Sequence, residues 1–181
     1  MKQIDRDIAI TLICKTKINL LSEEEREGHI LNMWSINEDD IEFNILSTKI
    51  KKELLSNEYP PSNLESPHYN ELILLSLKYE FIGVTNKFIS NKLIEMNLGQ
   101  YDVCGEVEKL VSCPCCNYLT LEARGEYDIC PLCYWQDVGI DELDIYVSAN
   151  RESLGNAKRR FDKIKNTLPD IINKKYLYNK S

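Results

Sequence analysis

Four cysteines in two C-x2-C pairs constrain this chain more than any other feature. Cys113 and Cys116 form one pair, Cys130 and Cys133 the other, with 13 residues between them. A C-x2-C turn aims both sulfurs at one point. Two such turns supply four thiolates, the donor set of tetrahedral Zn2+. The local chemistry fits that use. Each pair encloses a proline, Pro114 or Pro131, which presets a turn dihedral. Asn117 follows the first pair, where a left-handed residue is wanted. Between the pairs, Leu119 and Leu121 alternate, Arg124-Gly125 can turn, and Tyr127 and Ile129 alternate. This reads as strand, turn, strand, the outline of a zinc ribbon.

Other uses of the cysteines fit less well. A redox C-x-x-C opens a helix within a βαβ pattern, which is not visible here, and needs one pair rather than two. A catalytic zinc keeps an open coordination position beside a Glu or His base. Four cysteines close the shell, and the two histidines, His29 and His68, lie well before the motif. A deaminase site would require a ligand-x-Glu element ahead of the P-C-x-x-C, and none is present. Glu122 and Glu126 read as solvated hairpin residues. The sequence therefore predicts a structural zinc on Cys113, Cys116, Cys130 and Cys133, with no catalytic residues. Cys115 is left over, either as a small buried apolar residue or as support behind the ligands. Cys14 and Cys104 read as core residues, and His29 and His68 as ordinary surface or half-buried histidines.

An odd total of seven cysteines argues against a disulfide framework. The charged opening residues do not read as a signal peptide, and no apolar run approaches the roughly 20 residues that span a bilayer. The expectation is a cytoplasmic chain without membrane association, where thiols stay reduced.

The first hundred residues read as helices. Residues 5–20 carry apolar residues at mixed helical spacing. Ser22 followed by Glu25 makes a capping box, with Ile30, Leu31 and Trp34 as the apolar face. Ile41, Ile45, Ile50 and Leu54 suggest one helix after an acidic lead. Pro60, Pro61 and Pro67 enforce a loop. A buried helix over 69–79 follows, then another capped by Thr85 with Phe88, Leu93 and Ile94 inward. After the cysteines, Leu154, Ala157, Phe161, Ile164 and Leu168 form a stripe on a helix capped at Ser153. The predicted fold is mainly α with a small β zinc ribbon (α+β): an α-helical domain over 1–98, then a zinc-hairpin module and C-terminal amphipathic helix over 99–181.

The run "CPCCNYLTLEARGEYDICPLCYWQDVGIDE" followed by "NRESLGNAKRRF" resembles the cysteine-rich CPCC family of small bacterial proteins, over roughly residues 112–164. The resemblance implies a zinc-binding fold and brings no established reaction. Where the family usually has glycine this chain has Asn117, and where it is usually more acidic this chain has Gln136-Asp137-Val138. That loss of acids argues against a carboxylate-based active site.

Charge bears on the partner. Residues 101–149 hold 2 basic and 10 acidic residues, whereas residues 150–181 hold 9 basic and 3 acidic. Bound zinc leaves four thiolates only half neutralised, so the cysteine segment should repel phosphates and attract a basic protein. Asp137, Asp141, Glu142 and Asp144 are the candidate partner-binding residues. An immunity- or antitoxin-type inhibitor is one concrete form of such a protein. The alternative is a nucleic-acid-associated regulator using Lys158, Arg159, Arg160, Lys163 and Lys165 on the last helix.

Overall fold

The computed structural model describes residues 2–61, 64, 66–165 and 175–179. Among them lie six helices and six short strands, a mixed α+β chain. In order, these are β1 (Lys2–Asp5), α1 (Arg6–Ile18), α2 (Glu23–Met33), a 3-10 turn (Ile41–Ile45), α3 (Thr48–Ser56), a second 3-10 turn (Pro67–Tyr69), α4 (Asn70–Tyr79) and α5 (Asn86–Glu95). Then come β2 (Tyr101–Cys104), β3 (Val111–Ser112), β4 (Leu119–Leu121), β5 (Tyr146–Val147), β6 (Glu152–Ser153) and α6 (Leu154–Lys165). Among the described residues no helix is long and apolar enough to cross a membrane. The chain divides into two compact units, residues 1–82 with 92–101, and residues 83–91 with 102–181.

In the first unit, α4 packs against both α1 and α2. Leu72, Ile73 and Leu77 of α4, Ile13 and Cys14 of α1, Ile30 of α2 and Ile50 of α3 are fully buried. Burial pushes the Cys14 thiol up to about 12, so it behaves as a small apolar core residue. Asp5 caps α1 by accepting from the amides of Asp7 and Ile8. The capping box forms as the sequence predicts. The Glu25 amide donates to Ser22 Oγ at 3.3 Å, and the Ser22 amide donates to Glu25 Oε2 at 2.8 Å. Ser22→Ala should therefore cost about 1 kcal/mol of stability, measured as a lower midpoint in urea with an unchanged slope.

Several helical faces are rotated from their predicted positions. On α2, Ile30 and Trp34 are buried while Leu31 is exposed. On α5, Thr85 Oγ1 accepts from the Phe88 amide and Leu93 is buried, both as expected, but Ile89 is buried as well and Ile94 faces outward. The single helix predicted over 41–54 is two elements. Ser47 interrupts it by capping α3, while Phe43 and Leu46 are buried and Ile41 and Ile45 face solvent. The histidines serve packing. His29 Nδ1 lies 2.9 Å from Ser76 Oγ, and His68 Nε2 lies 3.1 Å from Glu53 Oε1.

In the second unit, strand pairing departs from the predicted hairpin. β4 pairs with β3, which precedes the first cysteine pair. Residues 127–130 run against 135–137, joined by bonds from Tyr127 N to Asp137 O, Asp137 N to Asp128 O and Cys130 N to Trp135 O, each 2.9 Å. The C-x2-C turns themselves reverse the chain, so the backbone on either side of each turn satisfies itself. The stripe on α6 buries Leu154, Ala157 and Phe161, with Ile164 more exposed; Leu168 lies outside the described residues. The Asn156 amide donates to Ser153 Oγ at 3.4 Å, consistent with a cap there. Gly155 is required by close approach, because a Cβ would lie 2.8 Å from the Leu143 carbonyl oxygen.

Candidate metal centre

The two cysteine turns have the same backbone geometry. Asn117 N donates to Cys113 O, and Tyr134 N donates to Cys130 O, both at 2.9 Å. Cys113 N then donates to Tyr118 O, and Cys130 N to Trp135 O, again at 2.9 Å. The residue that follows each pair is left-handed, Asn117 with φ 65° and Tyr134 with φ 61°. Asparagine tolerates this conformation; an aromatic residue rarely adopts it.

These turns bring Cys113, Cys116, Cys130 and Cys133 together. All four side chains are buried, and their sulfurs lie within 4.8 Å of one another. Cys113 to Cys133 and Cys116 to Cys130 are each 3.6 Å. A regular tetrahedron with Zn–S bonds of about 2.3 Å has edges of about 3.8 Å, so the donor set fits a metal of that size. Electrostatics point the same way. Mutual hydrogen bonding, above all with Cys113, drives Cys130 toward the thiolate, while the same contacts and burial drive Cys116 toward the thiol. Four thiolates cannot share a buried site this small unless a cation balances them. Two further groups serve Cys130: the Thr120 hydroxyl at 3.1 Å and the Leu132 amide at 3.4 Å from its sulfur. Sequence reasoning missed both, because hydrogen bonds to sulfur leave no spacing signal.

Cys115 is buried next to the cluster without belonging to it, which fits the small apolar residue expected there. Cys104 departs from expectation. It is only half-buried, with its sulfur 3.6 Å from the Asp102 carbonyl oxygen.

The acidic residues separate into two kinds. Asp141, Glu142 and Asp144 are exposed. Asp137 is not a surface residue; its relative exposure is 0%. Its Oδ2 accepts from Arg124 Nε at 2.6 Å and from the Gly125 amide at 2.9 Å, and its Oδ1 accepts from the Gly139 amide at 3.2 Å. Burial pushes this carboxyl up, but those three donors outweigh it and hold it below the usual carboxylate range. Arg124 also reaches Asp141. Asp137 thus ties two loops together at the point where Gly125 and Gly139 touch, a Cβ on either lying 3.4 Å from the other's Cα.

Four convergent buried thiols on paired turns make a four-cysteine donor set that could hold a metal ion. Residues 111–174 match the model of the family described as Cysteine-rich CPCC, and no family matches the rest of the chain. No curated protein and no solved structure matches the chain.

Proposed function

We infer that Cys113, Cys116, Cys130 and Cys133 hold one structural Zn2+, that the segment around them is a zinc ribbon, and that it serves as a non-enzymatic protein-binding module for a basic partner. The helical first unit reads as a bundle that accompanies it. The observation that carries the zinc assignment is the buried sulfur cluster with its 3.6 Å edges. When bound, the ion supplies folding free energy to a segment whose own core is small. With four sulfurs around it, no position is left for substrate. The chain's own residues do the rest. The two turns fix the sulfurs, Thr120 and Leu132 orient Cys130, and Asp137 locks the adjoining loops.

The basic-partner reading is supported by the acidic balance of residues 101–149 and by the exposure of Asp141, Glu142 and Asp144. On the last helix, Arg160 is paired with the Glu152 carboxylate at 2.8 Å, which leaves one cation fewer for phosphates than the sequence suggests. The test is charge reversal. Glu142→Lys with Asp144→Lys should slow association with a basic protein at least tenfold at low salt, and should flatten its salt dependence. Salt-sensitive RNA or DNA binding that is abolished by Lys158→Ala with Lys163→Ala would support the nucleic-acid regulator instead.

A separate expectation concerns the fifth thiol. Because Cys115 lies beside the four-sulfur cluster and outside it, Cys115→Ser should keep one zinc per chain by metal analysis. Loss of stoichiometric metal in that variant would show that the wrong thiol has been assigned.

A further inference from the structure

The two halves of the sulfur site differ in what closes their outer edge. A stretch of extended chain follows each cysteine turn, and the backbone groups of its successive residues bond to opposite sides. The inner side is alike in both halves. Tyr118 O accepts from Cys113 N, and Trp135 O accepts from Cys130 N, each at 2.9 Å. The outer side is not. After the second turn a nearby side chain closes it: Gln136 N donates to Asn150 Oδ1 and Asn150 Nδ2 donates to Gln136 O, both at 2.8 Å. After the first turn it is closed by residues from the C-terminal end of the chain. Asn179 N donates to Asn117 O, Asn117 Nδ2 donates to Asn179 O, and Leu119 N donates to Leu177 O, all at 2.9 Å.

The same C-terminal stretch has a second neighbour. Thr85 N donates to Lys175 O at 2.9 Å, and Val84 bridges Tyr176 in antiparallel fashion, as Tyr118 bridges Tyr178. Residues 175–179 therefore lie between 84–85 and 117–119, all within the second unit. Tyr176 is buried there, whereas Tyr178 is 45% exposed and rests edge-on against Tyr118 with ring centres 5.1 Å apart. Lys165 Nζ lies 4.7 Å from the centre of the Tyr178 ring. Asn117 is where this stretch meets the sulfur site, because it follows Cys116 directly. Its left-handed backbone, φ 65°, would suit glycine at least as well. What the asparagine side chain adds is the bond to Asn179. Asn150 stands 14 positions from the residue it closes, and Asn179 stands 62 from Asn117. The first turn thus depends on a terminal segment, the kind of element that opens most readily in a fold.

We propose that residues 175–179 are a latch on the metal site: seated against Asn117 and Leu119 they hold the first cysteine turn closed, and zinc is released through this half of the site when they lift. This rests on the zinc reading above and assigns Asn117 and Tyr178 as positioning residues for that site. Cys113 and Cys116 carry two of the four sulfurs, and an ion leaves only as its ligands let go. With the latch lifted, Asn117 and Leu119 lose the outer bonds named here, while the second turn keeps Asn150. Coupling is reciprocal, so a metal that favours the closed turn also favours the seated latch.

The test uses the full-length, zinc-loaded chain. Zinc release into an excess of a chromophoric chelator is timed, and hydrogen exchange at the Thr85, Leu119 and Asn179 amides is followed separately with the metal bound. Asn117→Gly with Tyr178→Ala should release zinc about tenfold faster and raise exchange at all three amides about tenfold, with protection in α6 unchanged. Tyr178→Phe keeps the ring and should release zinc at the native rate. Asn117→Gly alone separates the latch from a purely backbone role. Easing of the left-handed backbone predicts release no faster than native, whereas the latch predicts faster release. A native or slower rate in that variant overturns the proposal. So does a native release rate in the double variant once its three amides are exposed, unchanged protection of those amides, or loss of α6 protection while zinc is bound. In each of these outcomes the native chain still holds its zinc, and the zinc reading stands. A native chain that takes up no zinc would remove that reading, and the latch with it.

Discussion

Stripping zinc with a strong chelator is expected to unfold the cysteine-rich segment. Hydrogen exchange across residues 111–165 should rise to near the unfolded rate and return to the protected level when zinc is added back. The physical reason is the burial of four thiols within 4.8 Å of one another. Without a cation, Cys130 is driven toward the thiolate and Cys116 toward the thiol, and the buried site holds a poorly balanced set of groups. With a dication, all four sulfurs gain a partner. Structural zinc sites contribute on the order of 10 kcal/mol at neutral pH, more than the whole stability of many small domains. Cys130→Ser with Cys133→Ser should have the same effect permanently. Unchanged protection in the chelated chain would mean that packing, rather than metal, holds this segment.

The second large effect belongs to Asp137. Asp137→Ala should cost the zinc-loaded chain about 2–3 kcal/mol, because it leaves Arg124 and the amides of Gly125 and Gly139 without their shared acceptor. Asp137→Asn should recover part of the loss, since one oxygen remains to accept. The sign of the pH dependence follows from the direction of the shift. The carboxyl is held below its ordinary value of 3.8 in the folded chain. Its contribution is therefore complete above about that pH and is lost as pH falls through the lower, folded value. At saturating zinc, the native chain and Asp137→Asn should keep the same difference in denaturant midpoint from neutral pH down through the acid range in which the thiolates still hold the ion, because the carboxyl stays charged throughout it. A difference that already fades within that range would show that the carboxyl titrates above its ordinary value and is not held by its three donors.

Asp137 also marks the boundary of what could be read from the sequence. Its value as a buried staple depends on Arg124, thirteen positions earlier, meeting it from another loop. An aspartate in an acidic stretch looks like surface, and nothing local distinguishes it from Asp141, which is exposed. The same limit applies to β4. Its alternating leucines are visible in the sequence, but whether they pair backward with β3 or forward with residues 127–129 is decided by the reversal at each cysteine turn. Local signals carried further. Ser22 and Glu25 close a box within one helical turn. Asn117 adopts the left-handed backbone its position demands. The four cysteines meet because the spacing of each pair is itself the geometry of a turn. Helical faces were legible only approximately. Ser47 could cap α3 or ride inside a longer helix; its hydroxyl accepts from the Ile50 amide at 3.5 Å, and ahead of that cap Ile41 and Ile45 face solvent.

X-ray absorption at the zinc edge on the purified chain tests the central claim most directly. One zinc per chain should be surrounded by four sulfurs at about 2.3 Å, with no lighter ligand in its inner shell, and Cys115→Ser should leave that spectrum unchanged. A nitrogen or oxygen ligand replacing one of the four sulfurs, or a chain that takes up no zinc at all, would contradict the assignment.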